Sequence, residues 1–255
     1  MFDNLFSHLD SWNDSVQSDN DNLPDDHDYE LEEADSSYLS WINPDDLTLL
    51  LDNHEMPVDE LEAENWNPQI FDGLGDPIAD AAHWQPQQGS SSCAVVAQIS
   101  VYESITGNEI SESEACRIAE ANGWFDPANG TTPENIGKLL NAFGVPTHKS
   151  YDASLEEIAL ALEQGDKVIV GLDSNEIWQP RIDPATGQAL EQPDAGHAVW
   201  VTGIDQQPDG SVQVILNDSG NPDGRMMAVD AKDFLNAWQD YDNLLVVAGA
   251  PTALA

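Results

Sequence analysis

Cys93, His197 and Asp218 are residues that together can attack a carbonyl carbon. Cys93 ends the polar run Gln87-Gln88-Gly89-Ser90-Ser91-Ser92 and opens an apolar one. His197 stands in Gly196-His197-Ala198-Val199-Trp200-Val201, and Asp218 follows Asn217 at the end of a further apolar run. A thiolate is a strong nucleophile near neutral pH, an imidazole can serve it as base and then as acid, and a carboxylate fixes the imidazole's tautomer and orientation. Gln87, six residues before the thiol, can turn its amide back to form an oxyanion hole with the Cys93 backbone N–H. Gln85 and Gln88 stand close enough to compete for that role.

These roles require particular supports. Ser90 to Ser92 can cap a helix through Ala94, Val95, Val96, Ala97, Ile99 and Val101, which is apolar on nearly every side and so predicts a buried central helix. Its N-terminus brings unpaired N–H groups and partial positive charge to the thiol. Ser111 with Glu114 and Ser154 with Glu157 predict capping boxes, and Thr132-Pro133 predicts a helix ending at Gly144. After residue 165 the apolar period drops to two, which predicts strands over residues 167–173, 197–205, 211–218, 225–230 and 244–248, with a short helix over 231–239. Gln207-Pro208-Asp209-Gly210 reads as a hairpin turn. Pairing across it brings His197 opposite a residue between Asp218 and Gly220, with Cβ atoms of neighbours roughly 5 to 7 Å apart. Helices followed by an antiparallel sheet make the fold class α+β.

Charge divides the chain. Its 48 Asp and Glu outnumber 7 Lys and Arg, for a net charge of −41, and no Lys or Arg precedes Arg117. Residues 1–80 are therefore expected to be an acidic, largely disordered regulatory or partner-docking segment, with residues 81–250 as the catalytic domain. Within that segment residues 2–12 carry an amphipathic pattern and residues 38–51 an apolar island, either of which can dock on the domain or on another protein. Nucleic acid is not expected as a partner, because phosphate binding needs clustered Lys and Arg. The acidity fits a surface adapted to high salt equally with attraction of a basic substrate or partner.

Two cysteines make no disulfide framework in a chain of 255 residues, and Cys116 reads as core. With no basic leader and no apolar run of about 20 residues, the expectation is a cytoplasmic chain without a membrane segment, signal-less export aside. No cofactor and no metal are expected: Asp19-x-Asp21 departs from the EF-hand pattern, and no Cys/His spacing suits zinc. The long connection over residues 174–196 is expected to wall a substrate groove, with Trp178 as an anchor.

Gln-x5-Cys opening a helix, Gly-His-Ala-Val-x-Val-Thr-Gly-Ile-Asp, a strand ending Asn-Asp, and Phe234-x3-Trp238 before Asn243-Leu244-Leu245-Val246-Val247 resemble the bacterial papain-fold peptidases related to the double-glycine leader (bacteriocin-processing) peptidases, family thirty-nine of the cysteine peptidases. The resemblance spans about residues 84–247. It implies a papain-like fold and cleavage of a peptide or amide bond in a peptide or protein substrate. By position it makes Cys93 the nucleophile, His197 the base and acid, Asp218 its orienter and Gln87 the oxyanion donor. The chain departs from the family where Ala94 replaces the glycine that commonly follows the nucleophile. The same residues would serve a thiol acyltransferase, and an inactive papain-fold adaptor docking through residues 1–80 is the alternative of a different class.

Overall fold

The computed structural model describes residues 71–185 and 189–249. The two apolar patterns expected at residues 2–12 and 38–51, and the Asp19-x-Asp21 motif, lie outside the described residues.

A seven-stranded antiparallel sheet forms one layer. Its strands are β1 (Leu74–Gly75), β2 (Thr147–Ser150), β3 (Lys167–Asp173), β4 (Gly196–Gln206), β5 (Val212–Asn217), β6 (Met227–Asp230) and β7 (Leu245–Ala248). They run in the order β2-β7-β3-β4-β5-β6, and β1 pairs with β4 at Ile204 and Gly203, beyond the stretch that β3 occupies. β3 and β4 are apolar on both faces because helices cover the sheet, and Val168, Ile169, Val170, Val199, Trp200 and Val201 are all fully buried.

The helices are α1 (Pro77–Asp80), α2 (Cys93–Thr106), α3 (Glu112–Ala121), α4 (Lys138–Ala142), α5 (Leu155–Glu163), α6 (Ser174–Trp178) and α7 (Ala231–Gln239). α2 is the expected central helix. One of its sides, with Ala94, Ala97 and Val101, packs on Ile169, Ala198, Trp200 and Val246 of the sheet. The other, with Val95 and Ile99, packs on Ala115, Ile118 and Leu139 of α3 and α4. A helix wedged between two layers must be apolar all round, which is why its sequence lacks a polar face.

Several local expectations give way to tertiary contacts. The helix predicted from Thr132 to Gly144 is split into a 3-10 turn (Pro133–Asn135) and α4, because the buried Gln98 Oε1 of α2 accepts the N–H groups of Gly137 and Leu139 at 2.9 and 3.2 Å. Gly137 takes a left-handed φ of 95° at that break. The Ser154–Glu157 box closes in both directions, whereas at Ser111 only the hydroxyl engages, the Glu114 carboxylate being drawn to Arg117 at 2.7 Å. β2, Thr147-His148-Lys149-Ser150, lacks an apolar period and was not expected; it is a strand because β7 offers it a free edge. Gly196 and Gly203 admit close neighbours, since a Cβ would meet the Tyr241 hydroxyl and the Leu74 carbonyl.

The folded unit also reaches past the expected boundary at residue 80. β1 extends the sheet, and the buried Asp80 carboxylate accepts the Lys167 ammonium at 2.6 and 2.9 Å beneath the ring of Trp200. Residues 71–80 thus belong to the domain, because their removal would strip an edge from β4 and strand a half-buried lysine.

Candidate functional site

The N-terminus of α2 is held open. Ser92 is its N-cap residue, yet the Ser92 hydroxyl does not cap the helix: it donates to Glu112 Oε1 at 2.6 Å and lies 3.0 Å from the Gly89 carbonyl. The same Glu112 carboxylate accepts the N–H groups of Gln88 and Gly89 at 2.8 and 2.9 Å. One buried acid from α3 therefore fixes the whole turn before Cys93, and the first-turn N–H groups remain directed at the thiol's surroundings.

His197 and Asp218 meet as the hairpin implies. β4 and β5 pair at Trp200 and Asn217, and continuing that register sets His197 beside the turn at Gly220. A Cβ on Gly220 would lie 2.7 Å from His197 Cε1, so this turn approaches the imidazole as closely as a backbone can. His197 Nε2 and Asp218 Oδ1 are 2.6 Å apart, with both side chains buried. The other ring nitrogen is not used by Asp218, and the half-buried Cys93 thiol is electrostatically coupled to the same imidazole.

Electrostatics follow from that chain of contacts. Burial pushes the Cys93 thiol up, but the hydrogen bond and charge of His197, with the N–H groups of Ala198 and Ala94, outweigh it and hold the thiol below its usual value. Burial opposes protonation of His197, and Asp218 and Cys93 overcome it, raising the imidazole to about 10. Asp218 itself sits below the carboxylate range: burial is outweighed by His197, the Trp178 indole N–H and the Gly220 N–H. This coupling shifts the balance from the neutral pair toward the thiolate–imidazolium pair.

Trp178 is closer to the chemistry than a groove anchor need be. Its Nε1–H donates to Asp218 Oδ2 at 2.7 Å, and its ring meets His197 edge-on at a centroid distance of 5.3 Å. Of the connection expected to wall a substrate groove, Trp178 thus borders the His197–Asp218 pair and orients the carboxylate. The Trp84 indole N–H donates to the Asp218 carbonyl at 2.8 Å. Neither tryptophan nor Glu112 was singled out for this work by the sequence, because their partners lie far along the chain.

Gln87 is tied to the same region. Its N–H donates to the Ser219 carbonyl at 2.9 Å, its Oε1 accepts the Ser219 hydroxyl at 3.1 Å, and its Nε2 donates to the Gly89 carbonyl at 2.9 Å. One amide hydrogen of Nε2 is not used in these bonds. Gln85 and Gln88 have no such tie to the Asp218 turn through their side chains. Cys116, by contrast, is half-buried, and burial with Glu112 and Glu120 pushes its thiol up to about 11, which disfavours its thiolate. His148 is exposed on β2, away from this cluster in the sheet order.

The sequence from residue 79 to 246 matches the model of the Peptidase_C39 like family. The chain belongs to that family. Its C39-like domain therefore occupies most of the described residues, the Cys–His–Asp cluster included. Uncharacterized proteins of Mycobacterium bovis and Mycobacterium tuberculosis are 30% identical over 199 residues, covering 68% of this chain and 83% of theirs. In structure, a C39-like peptidase of Bacillus anthracis is similar at a TM-score of 0.50 with 12% identity, over 70% of this chain and 98% of its own, which shows the shared fold. A recombinant stem bromelain precursor is similar at a TM-score of 0.39, with 13% identity over 68% of this chain and 69% of its own. The α+β class expected from helices followed by an antiparallel sheet is the fold found, and the C39-like peptidase shares it. Among the described residues no helix is long and apolar enough to cross a membrane.

Proposed function

We propose that this protein is a cysteine peptidase or amidase in which Cys93 is the nucleophile, His197 the base and acid, Asp218 the orienting carboxylate and Gln87 an oxyanion donor. The observation that carries this reading is the buried His197–Asp218 pair beside a thiol at a helix N-terminus whose pKa that imidazole lowers. The Cys93 thiolate attacks the amide carbonyl, and the oxyanion forms beside the Cys93 N–H and the unused Gln87 N–H. His197 gives its proton to the leaving amine as the C–N bond breaks, leaving a thioester. Water then attacks the thioester, His197 takes its proton, and the carboxylic acid leaves as the thiolate re-forms. Trp178 and Trp84 hold Asp218 so that the imidazole keeps its proton on the nitrogen the carboxylate faces.

The substrate is a peptide or protein, and a basic segment suits it best. Glu134, Asp240 and Asp242 line a cleft with Pro133, Tyr151 and Tyr241, and the Tyr241 hydroxyl lies against Gly196, next to His197. Three carboxylates along one cleft favour Lys or Arg side chains there.

The test is the pH profile of alkylation by iodoacetamide, read by mass spectrometry at each cysteine. Cys93 should react near pH 6, where a thiol of ordinary pKa, about 8.5, scarcely does, and Cys116 should not. Cys93→Ala should abolish hydrolysis of a peptide library while the protein still folds. A Cys93 that labels only like a free thiol, or hydrolysis that survives in the variant, would sink the proposal and favour a binding module.

A further inference from the structure

Around Asp173, which caps the N-terminus of α6, lies a group of carboxylates that take no part in the Cys–His–Asp cluster. Asp173, Asp194 and Asp240 each offer an oxygen within 4.8 Å of the others, and Glu176, Glu191 and Asp240 do the same. None of the five is ion-paired to a Lys, Arg or His among the described residues. Acidic clusters on an acidic protein are ordinary; the state of Asp173 is not. This residue is fully buried, and its Oδ1 is accounted for, since it caps α6 by accepting the Asn175 N–H at 2.8 Å and also accepts the Ala195 N–H at 3.2 Å. Its Oδ2 is buried without any hydrogen-bond partner, and so is Asp240 Oδ2. A buried carboxylate oxygen without a donor is costly, and two of them from carboxylates this close repel. Asp240 is also the C-cap of α7, where the helix dipole is negative and the last turn holds no basic residue.

We propose that Asp173, Asp194 and Asp240 form a calcium site that clamps the β3–β4 connection to the end of α7. Each feature above is then satisfied by one ion. Calcium takes six to eight oxygens at about 2.3 to 2.6 Å, so oxygens of one shell lie up to about 5 Å apart, which suits the spacing found. Magnesium suits it poorly, because it keeps its water and is held by one or two carboxylates at about 2.0 to 2.1 Å. The donors come from three separate segments, namely the end of β3, the stretch before β4 and the end of α7. The expectation of no metal arose from Cys/His and EF-hand spacings, and this set obeys neither. The proposal involves none of Cys93, His197 and Asp218, but it shares Asp240 with the cleft assigned above to basic side chains, which a calcium ion there would leave with Glu134 and Asp242.

The experiment uses the full chain stripped with EGTA and kept at constant high NaCl, so that diffuse binding to other surface acids is screened. Equilibrium dialysis should find one tightly bound calcium per chain. Thermal melts should rise saturably by roughly 5 to 10 °C at calcium a hundredfold above its Kd, with no matching rise for magnesium. Asp240→Asn should lose the tight site and the calcium response. In EGTA it should melt above the wild type, because one repelling carboxylate is gone. Asp194→Asn, at an exposed residue whose replacement does not threaten folding, should likewise lose the tight site. The proposal is overturned if the wild type binds no stoichiometric calcium, or if both variants retain its binding and its melting response. A failure of this kind would leave Cys93 labelling untouched.

Discussion

Replacing Trp178 by Phe isolates one bond. The ring stays against His197, but the indole N–H that reaches Asp218 Oδ2 at 2.7 Å is lost. A hydrogen bond to a buried charged acceptor contributes about 1.5 to 3 kcal/mol, against about 0.5 to 1.5 for a neutral one. The ring is partly exposed, so trimming the indole opens little enclosed space and adds little to the loss. For a domain of this size 1 kcal/mol moves Tm by about 2 to 4 °C, which gives a fall of roughly 3 to 12 °C at pH 7. The sign of the pH effect follows from Asp218. Its pKa is lowered in the fold, so the stability it contributes is present above the ordinary carboxylate range and is lost as pH falls through its own lowered value. The Tm gap between wild type and Trp178→Phe should therefore be widest near neutrality and narrow on acidification, measured by calorimetry at a series of pH values. A gap under about 1 °C at pH 7, or one that stays constant as the carboxylate titrates, refutes the argument that the N–H holds a charge.

Asp218→Asn keeps an acceptor for His197 but removes the charge, so His197 should titrate lower and Cys93 higher, with alkylation at pH 6 falling about tenfold per unit that the thiol rises. Gly220→Ala places a methyl 2.7 Å from His197 Cε1 and 3.1 Å from Nε2; pushing the ring aside should cost about 1 to 3 kcal/mol in denaturant unfolding and abolish the early labelling of Cys93. Asp80→Asn leaves the Lys167 charge unpaired in a half-buried site and should cost about 3 to 5 kcal/mol by the same measurement, which also tests whether residues 71–80 are part of the domain.

The elements that carry the site were legible because each has a strong local pattern. α2 is apolar on all sides after a serine run, and β3, β4 and β5 are long, β-branched and bounded by Gly, Pro or Asp. Register followed from one hairpin turn, which put His197 beside Asp218. What was not legible depends on distant partners. β2 is polar and becomes a strand only against β7. Gln98 breaks a helix that starts 35 residues later, and Trp178 bonds an aspartate 40 residues away. Glu112 sits inside what reads as a simple helix start, while its carboxylate shapes the turn before the thiol. No window of local sequence contains both halves of such contacts.

The ties between residues 81–87 and the turn after β5 have a consequence for the growing chain. Trp84 bonds Asp218, Gln87 bonds Ser219, and Arg225 Nε reaches back to the Ala81 carbonyl. During synthesis Cys93 leaves the ribosome more than a hundred residues before His197, and for all that time it is an ordinary cysteine. The thiol acquires its lowered pKa only after the β4–β5 hairpin has emerged and closed on the residues that precede α2. A ribosome-bound or truncated product that ends before residue 218 therefore carries a dormant thiol, and activation waits for the contacts that complete the fold.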